Sequence, residues 1–155
     1  MSLRANSQYA FTSALQPTKQ AWQQAATSAL AVSGLSVSLA SPLLLVSLLG
    51  DGVSQREIAE KIGVHPGALV RTLDKAEQSE LLERRSIPGN RRAQGIYLLP
   101  KGRQLAVKME GAMEALRTRL LKGIPKDELD IAIRSLRTFE ENARGFVDEE
   151  RNKFK

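Results

Sequence analysis

Apolar positions along this chain recur mostly at helical spacing. Pro17 can open a helix from its first turn, and Trp22, Ala26, Ala29 and Leu30 then fall on one face up to Ser33 and Gly34. The alanines on that face leave room for close helix packing. A second helix follows, capped either by Ser36 or by Ser41 with Pro42 in its first turn, and it runs to a stop at Gly50-Asp51-Gly52. Its apolar residues nearly encircle it, which predicts burial on more than one side.

Ser54 and Glu57 then form an S-x-x-E capping box, in which the serine and the glutamate each satisfy a backbone N–H that the helix leaves orphaned. The helix so started carries Ile58, Ala59 and Ile62 on one face and ends at Gly63. After a short turn, HPGALVRTLDKAEQSELL opens another helix with Leu69, Val70 and Leu73 inward and Arg71, Thr72, Lys75 and Gln78 on the other side. Two helices joined by a tight glycine-containing turn, apolar inside and polar outside, make a helix-turn-helix. Leu82 to Ser86 and Gly95 to Leu99 can pair as strands across the turn chemistry of Pro88, Gly89 and Asn90. From Lys101 a long amphipathic helix presents Leu105, Met109, Ala112, Met113, Leu116 and Leu120 until Gly123 and Pro125 break it. A last helix begins near Lys126 and carries Leu129, Ile133, Leu136, Phe139 or Glu140, and Ala143. The predicted fold class is mainly α: a winged helix-turn-helix with a two-stranded β wing, flanked by terminal helices. Those helices are too long and apolar to be covered by a small DNA-binding unit, so they call for a partner, most simply the same helices of a second chain.

At 155 residues the chain fits one domain, with residues 1–35 and 104–155 as dimerisation helices and 36–103 as the winged helix-turn-helix region. There are no cysteines, which removes disulfides, thiolate metal sites and thiol nucleophiles and fits a reducing, cytoplasmic address. His65 is the only histidine. Histidine-based catalysis or a multi-histidine metal site would have to be built on that one ring, and no carboxylate pair identifies a chemistry, so neither an enzyme, a metal nor a cofactor is expected. The net charge of +6 is unevenly placed: Arg84 to Met109 holds seven basic residues and no acidic one, whereas Glu110 to Lys155 holds ten of each sign. A local basic block on a balanced background is the electrostatic footprint of a nucleic-acid binder. Lys19 and Asp51 bracket thirty-one uncharged residues, but six serines, Gly34 and Pro42 divide them into pieces shorter than a membrane span of about 20 apolar residues. A buried helical hairpin is expected there, not a membrane segment.

The stretch AEQSELLERRSIPGNRRAQGIYLLPKG, residues 76–102, resembles the wing segment of the MarR family (multiple-antibiotic-resistance-type regulators). That family's pattern runs L-E-x-x-G-L-V-x-R, a short loop, D-R/K-R, then V-x-L-T-x-x-G. Glu77, Leu81, Arg84, Arg91, Arg92, Leu98 and Gly102 fall on matching positions without a gap. Four positions depart from it: Ala76 stands for leucine, Glu80 for glycine, Asn90 for the wing aspartate and Leu99 for threonine. Glu80 must therefore end the second helix without glycine's freedom, and Asn90 cannot form the charge lock that an aspartate gives the wing.

The resemblance implies a homodimer on a pseudo-palindromic stretch of double-stranded DNA, its second helices in major grooves about 12 Å wide and its wings at the minor grooves. In that reading Arg71, Thr72 and Lys75 meet base edges and phosphates, together with the helix-start residues His65, Gly67 and Ala68. Ser54, Gln55 and Arg56 hold the backbone, and Arg84, Asn90, Arg91 and Arg92 form the wing contact. His65 is equally a capping residue, and for Arg92 the competing role is an internal hydrogen bond that stiffens the wing. The family's members are often switched by small lipophilic or phenolic anions. Here Trp22, Ser33 and Ser41, with Met109 and Met113 opposite, are the residues placed to line such an effector site, against the alternative of a tightly packed core. The competing function is a winged-helix protein-interaction module without DNA binding, whose mark would be a missing basic face.

Overall fold

The computed structural model describes residues 3–87 and 89–153, with side chains for all of these except 3–5 and 90–93. Pro88 and the side chains of Asn90, Arg91 and Arg92 thus lie outside the described residues. Helices α1 (Leu3–Leu30), α2 (Val37–Leu49), α3 (Gln55–Ile62), α4 (Pro66–Gln78), α5 (Pro100–Leu120) and α6 (Lys126–Lys153) alternate with strands β1 (Val53–Ser54), β2 (Leu82–Ile87) and β3 (Asn90–Leu98). By packing they form two compact units, one ending at Arg117 and one beginning at Thr118. Among the described residues no single helix is long and apolar enough to cross a membrane; only α1 and α2 taken together pass on length and composition, and they are bent by 85°.

One helix start differs from the sequence expectation, and another selects between its two alternatives. Helix α1 begins at Leu3, so Pro17 lies in its interior. A proline there forfeits one backbone bond, and the preceding residues, rich in Ala, Leu and Gln, hold no other breaker. Helix α2 begins after Ser36, whose carbonyl accepts from Leu39 and Ala40; Ser41 and Pro42 are interior, with Pro42 buried. Burial on several sides holds: Ala40, Leu43 and Val46 have no exposed surface.

The helix-turn-helix and hairpin pack around Ile58, Leu73, Leu81, Leu82, Ile96 and Met109, all fully buried. Val70 is the exception: it is 37% exposed, and Ala76 takes the inward place beside Leu69 and Leu73. The sheet has three strands, not two, in the order β1-β3-β2, because Val53 and Ser54 pair antiparallel with Ile96 and Gly95. In the hairpin Leu82 faces Leu98 and Arg84 faces Ile96, with a register irregularity between Ser86 and Ile87.

Helix α4 ends in a reciprocal backbone pair. Leu81 N–H bonds to Ala76 carbonyl at 2.9 Å and Glu80 N–H to Glu77 carbonyl at 2.9 Å, which forces Glu80 into the left-handed region at φ 56°. It is the only non-glycine residue with positive φ among the described residues. Glu80→Gly is therefore expected to stabilise the protein by about 1 kcal/mol, read as a higher denaturation midpoint at unchanged slope. An unchanged or lower midpoint would mean that the unfolded chain gains as much freedom as the folded one loses strain.

Candidate nucleic-acid interface and effector cleft

One side-chain cap fixes the start of each helix in the helix-turn-helix pair. Ser54 Oγ accepts from Glu57 N–H at 3.2 Å, and His65 Nδ1 accepts from Gly67 N–H at 3.1 Å. His65 therefore serves as the cap of α4. Gln55 Nε2 donates to Pro66 carbonyl at 3.3 Å, tying α3 to the start of α4, and Arg56 pairs along its own helix with Glu60 at 2.9 Å while staying exposed. Burial of Leu69, Leu73 and Ala76 turns the opposite side of α4 outward, so that Gly67, Ala68, Arg71 and Lys75 are exposed and Thr72 is half-buried. Among the described residues Arg71 and Lys75 form no ion pair, unlike Arg56, Arg84, Arg85 and Arg103.

Arg84 does not share that exposure. From β2 its backbone N–H donates to Glu77 Oε1 at 2.8 Å, its Nε to Glu77 Oε2 at 3.0 Å, and its Nη2 to Asp74 Oδ1 at 2.5 Å and again to Glu77. Its side chain is 18% exposed, and the base of the wing is thereby joined to α4. A second clamp holds the other side of the hairpin: Asp51 accepts from Leu98 N–H at 3.0 Å and from Arg103 Nη2 at 2.7 Å. On the outer face Arg85 pairs with Glu83 and lies 4.5 Å above the Tyr97 ring. Ion pairs thus hold the wing at its base.

The hydrogen bond from Arg84 holds the Glu77 carboxyl below the usual glutamate range, against the opposing pull of partial burial and of Asp74. Burial works to raise Asp51, but the Leu98 N–H and Arg103 outweigh it and its carboxyl is also lowered. A lowered folded value means that the unfolded chain takes up the proton first as pH falls. The stabilisation is complete above about pH 4.3, the ordinary glutamate value, and disappears as pH drops through the folded values. Glu77→Gln is expected to flatten the fall in melting temperature between neutral and strongly acidic pH; an equally steep fall would remove Glu77 from the acid response.

Between α1, α2 and the end of α3 lies a cleft of about 440 Å³, lined by Trp22, Gln23, Ala26, Thr27, Leu30, Val37, Ser41, Leu44, Leu45, Lys61 and Ile62. It brings together two of the expected effector residues, Trp22 and Ser41. The other three lie elsewhere: Ser33 closes its turn by donating to Leu30 carbonyl and accepting from Leu35 N–H, and Met109 and Met113 are core residues. Methionines at helical spacing mark an inward face, but spacing alone cannot say whether that face meets a cavity or a packed core. Lys61 was not foreseen; it follows the uncharged stretch by ten residues and reaches the cleft only through the packing of α3 on α2. The roles of Asp74 and Glu77 were equally unforeseen, although Glu77 and Arg84 both sat on the wing pattern.

A model of the MarR family matches residues 46–93. The transcriptional regulator PA3341 is similar over 87% of this chain and 98% of its own, with 30% identity and a TM-score of 0.80. CouR from Rhodococcus jostii RHA1, bound to p-coumaroyl-CoA, matches 81% of this chain and 87% of its own at 26% identity and a TM-score of 0.70. The transcriptional repressor CouR bound to a 23-mer DNA duplex matches 83% and 94% at 24% identity and a TM-score of 0.65, a likeness of fold.

Proposed function

Since this chain belongs to the MarR family of transcriptional regulators, we propose that it acts as a homodimer on a pseudo-palindromic DNA operator, with α4 in the major groove and the hairpin tip at the minor groove. The observation that carries the reading is the outward stripe of α4. Gly67 and Ala68 allow close approach at the helix start, and Arg71 and Lys75 stand exposed with no ionic partner among the described residues, as side chains reserved for base edges and phosphates do. Arg56 flanks that stripe from α3, exposed enough to reach a phosphate despite its pair with Glu60. Ser54, Gln55 and His65 contribute as caps and ties that fix the two helices, and Arg84 as the link to the wing. The homodimer is supported by α6. Its 28 residues include no buried one among those described, and Ile131, Ile133, Leu136, Phe146 and Val147 are each about half exposed or more. Anisotropy titration of a labelled duplex across a salt series tests the DNA reading: affinity falling steeply with salt is expected, and absence of binding even at low salt contradicts it.

We propose, second, that the cleft beneath α1 takes a small aromatic or lipophilic acid. Its volume is within the range of about 300–1,000 Å³ usual for ligand sites, its lining is mostly apolar with Trp22 as a flat wall, and Lys61 supplies a cation. A relative at 26% identity is bound to p-coumaroyl-CoA, whose acyl group is aromatic, which supports an aromatic ligand. Because Lys61 belongs to the helix-turn-helix pair, a ligand held there has different contacts when α3 moves relative to α1, as release of DNA by population shift requires. Simple aromatic carboxylic acids are expected to raise the melting temperature of the wild type and to lose that effect in Lys61→Met. Equal shifts in both proteins would place the ligand elsewhere.

A further inference from the structure

Helix α4 carries two cations, Arg71 and Lys75, and two anions, Asp74 and Glu77, so by itself it has no net charge. That is a poor composition for an element meant to lie among phosphates. Asp74 is three residues from Arg71 and one from Lys75, next to the outward stripe, and its side chain is 45% exposed. Glu77 follows one turn later at 31%. Uncompensated, the two carboxylates would meet the negative field of the DNA backbone at the place where the helix must come closest. Arg84 is the cation that answers both. It arrives from β2, engages Glu77 through its backbone N–H, Nε and Nη2 and Asp74 through Nη2, and retains little surface for a phosphate of its own.

We propose that Arg84 is a positioning residue for DNA binding that acts through Asp74 and Glu77, offsetting one of the two carboxylate charges of the recognition helix so that Arg71 and Lys75 set the sign of its charge. The inference rests on α4 being the DNA-reading helix. The arginines of this region then differ in role, with Arg84 altering the helix's charge from behind and Arg71 facing the ligand. Screening and scaffolding are likewise distinct functions for the ion pairs, and they predict opposite outcomes when all three charges are removed together.

The test compares wild type, Arg84→Met and the triple variant Asp74→Asn/Glu77→Gln/Arg84→Met for binding to a labelled duplex over a salt series, with melting and circular dichroism recorded on each. Counting full charges, the cluster holds minus one in the wild type, minus two in Arg84→Met and zero in the triple variant. Arg84→Met is expected to bind about tenfold more weakly at low salt, with the gap closing as salt rises. The triple variant is expected to bind at least as tightly as the wild type. A folded triple variant that binds more weakly than wild type overturns the proposal, and it does so even where Arg84→Met alone does not fold. Wild-type affinity in a folded Arg84→Met overturns it as well. Failure of the wild type itself to bind any duplex removes the DNA reading and this inference together, and is recognised before any variant is made.

Discussion

Gly102→Ala is expected to destabilise the protein by about 3 kcal/mol or more, a fall in melting temperature of about 10 °C, although alanine is the better helix former. A Cβ at this position would lie 1.9 Å from the carbonyl oxygen of Leu81 and 2.8 Å from its carbonyl carbon. Those are backbone atoms of a fully buried residue, so no side-chain rotation relieves the overlap. Leu81 is also fixed from both sides, its N–H bonded to Ala76 and its carbonyl accepting from Leu99 N–H at 3.1 Å. Movement of either partner would disturb the end of α4 or the exit of β3. The start of α5 can approach the end of α4 only through a residue without a side chain. A melting curve unchanged in Gly102→Ala would show that α5 can retreat at no cost, and the close approach would then have no bearing on stability.

The second large effect concerns the hairpin tip. Arg91 and Arg92 stand at the start of β3, immediately after the turn, where a wing meets the minor groove. Arg91→Ala/Arg92→Ala removes four cations from a homodimer. It is expected to weaken DNA binding on the order of a hundredfold at physiological salt and to flatten the log–log salt dependence by about two to four. Stability is expected to change little, because the base of the wing is held by its own clamps, Arg84 with Asp74 and Glu77, and Arg103 with Asp51. Binding and salt slope equal to wild type would take the wing out of the DNA contact and leave α4 alone to carry it.

The elements of the molecule are legible in the sequence to different degrees. The helix-turn-helix is readable because its signals are local: the Ser54 cap, the glycine at 63 and the apolar spacing of Leu69 and Leu73 all act within a turn or two. The hairpin is readable for the same reason. Strand β1 is not, since two residues have no alternation to detect and pair only because Asp51 and Gly52 bring them beside β3. Pro17 misleads because a breaker in an exposed helix loses one bond, while the residues around it still favour the helix. Val70 misleads because one apolar position in a helical run can fall at the edge of the buried arc.

In the candidate site, the outward residues Arg71 and Lys75 follow from periodicity alone. The duties of Arg84 do not, because its partners lie seven and ten residues back, across the end of a helix, at separations with no periodic signature. The same holds for Asp51 with Arg103 and for Lys61 in the cleft. Glu80 lies between these cases: the sequence shows that a non-glycine residue must end α4, and the structure shows the left-handed backbone it adopts to do so.

Two-fold DNA reading is measured by selecting bound duplexes from a random pool with the full chain and sequencing them. Enrichment of one pseudo-palindromic site is expected, with half-sites about one helical turn apart, the spacing set by two α4 helices related by a dyad. Enrichment of no sequence, or of a single half-site without symmetry, would contradict it.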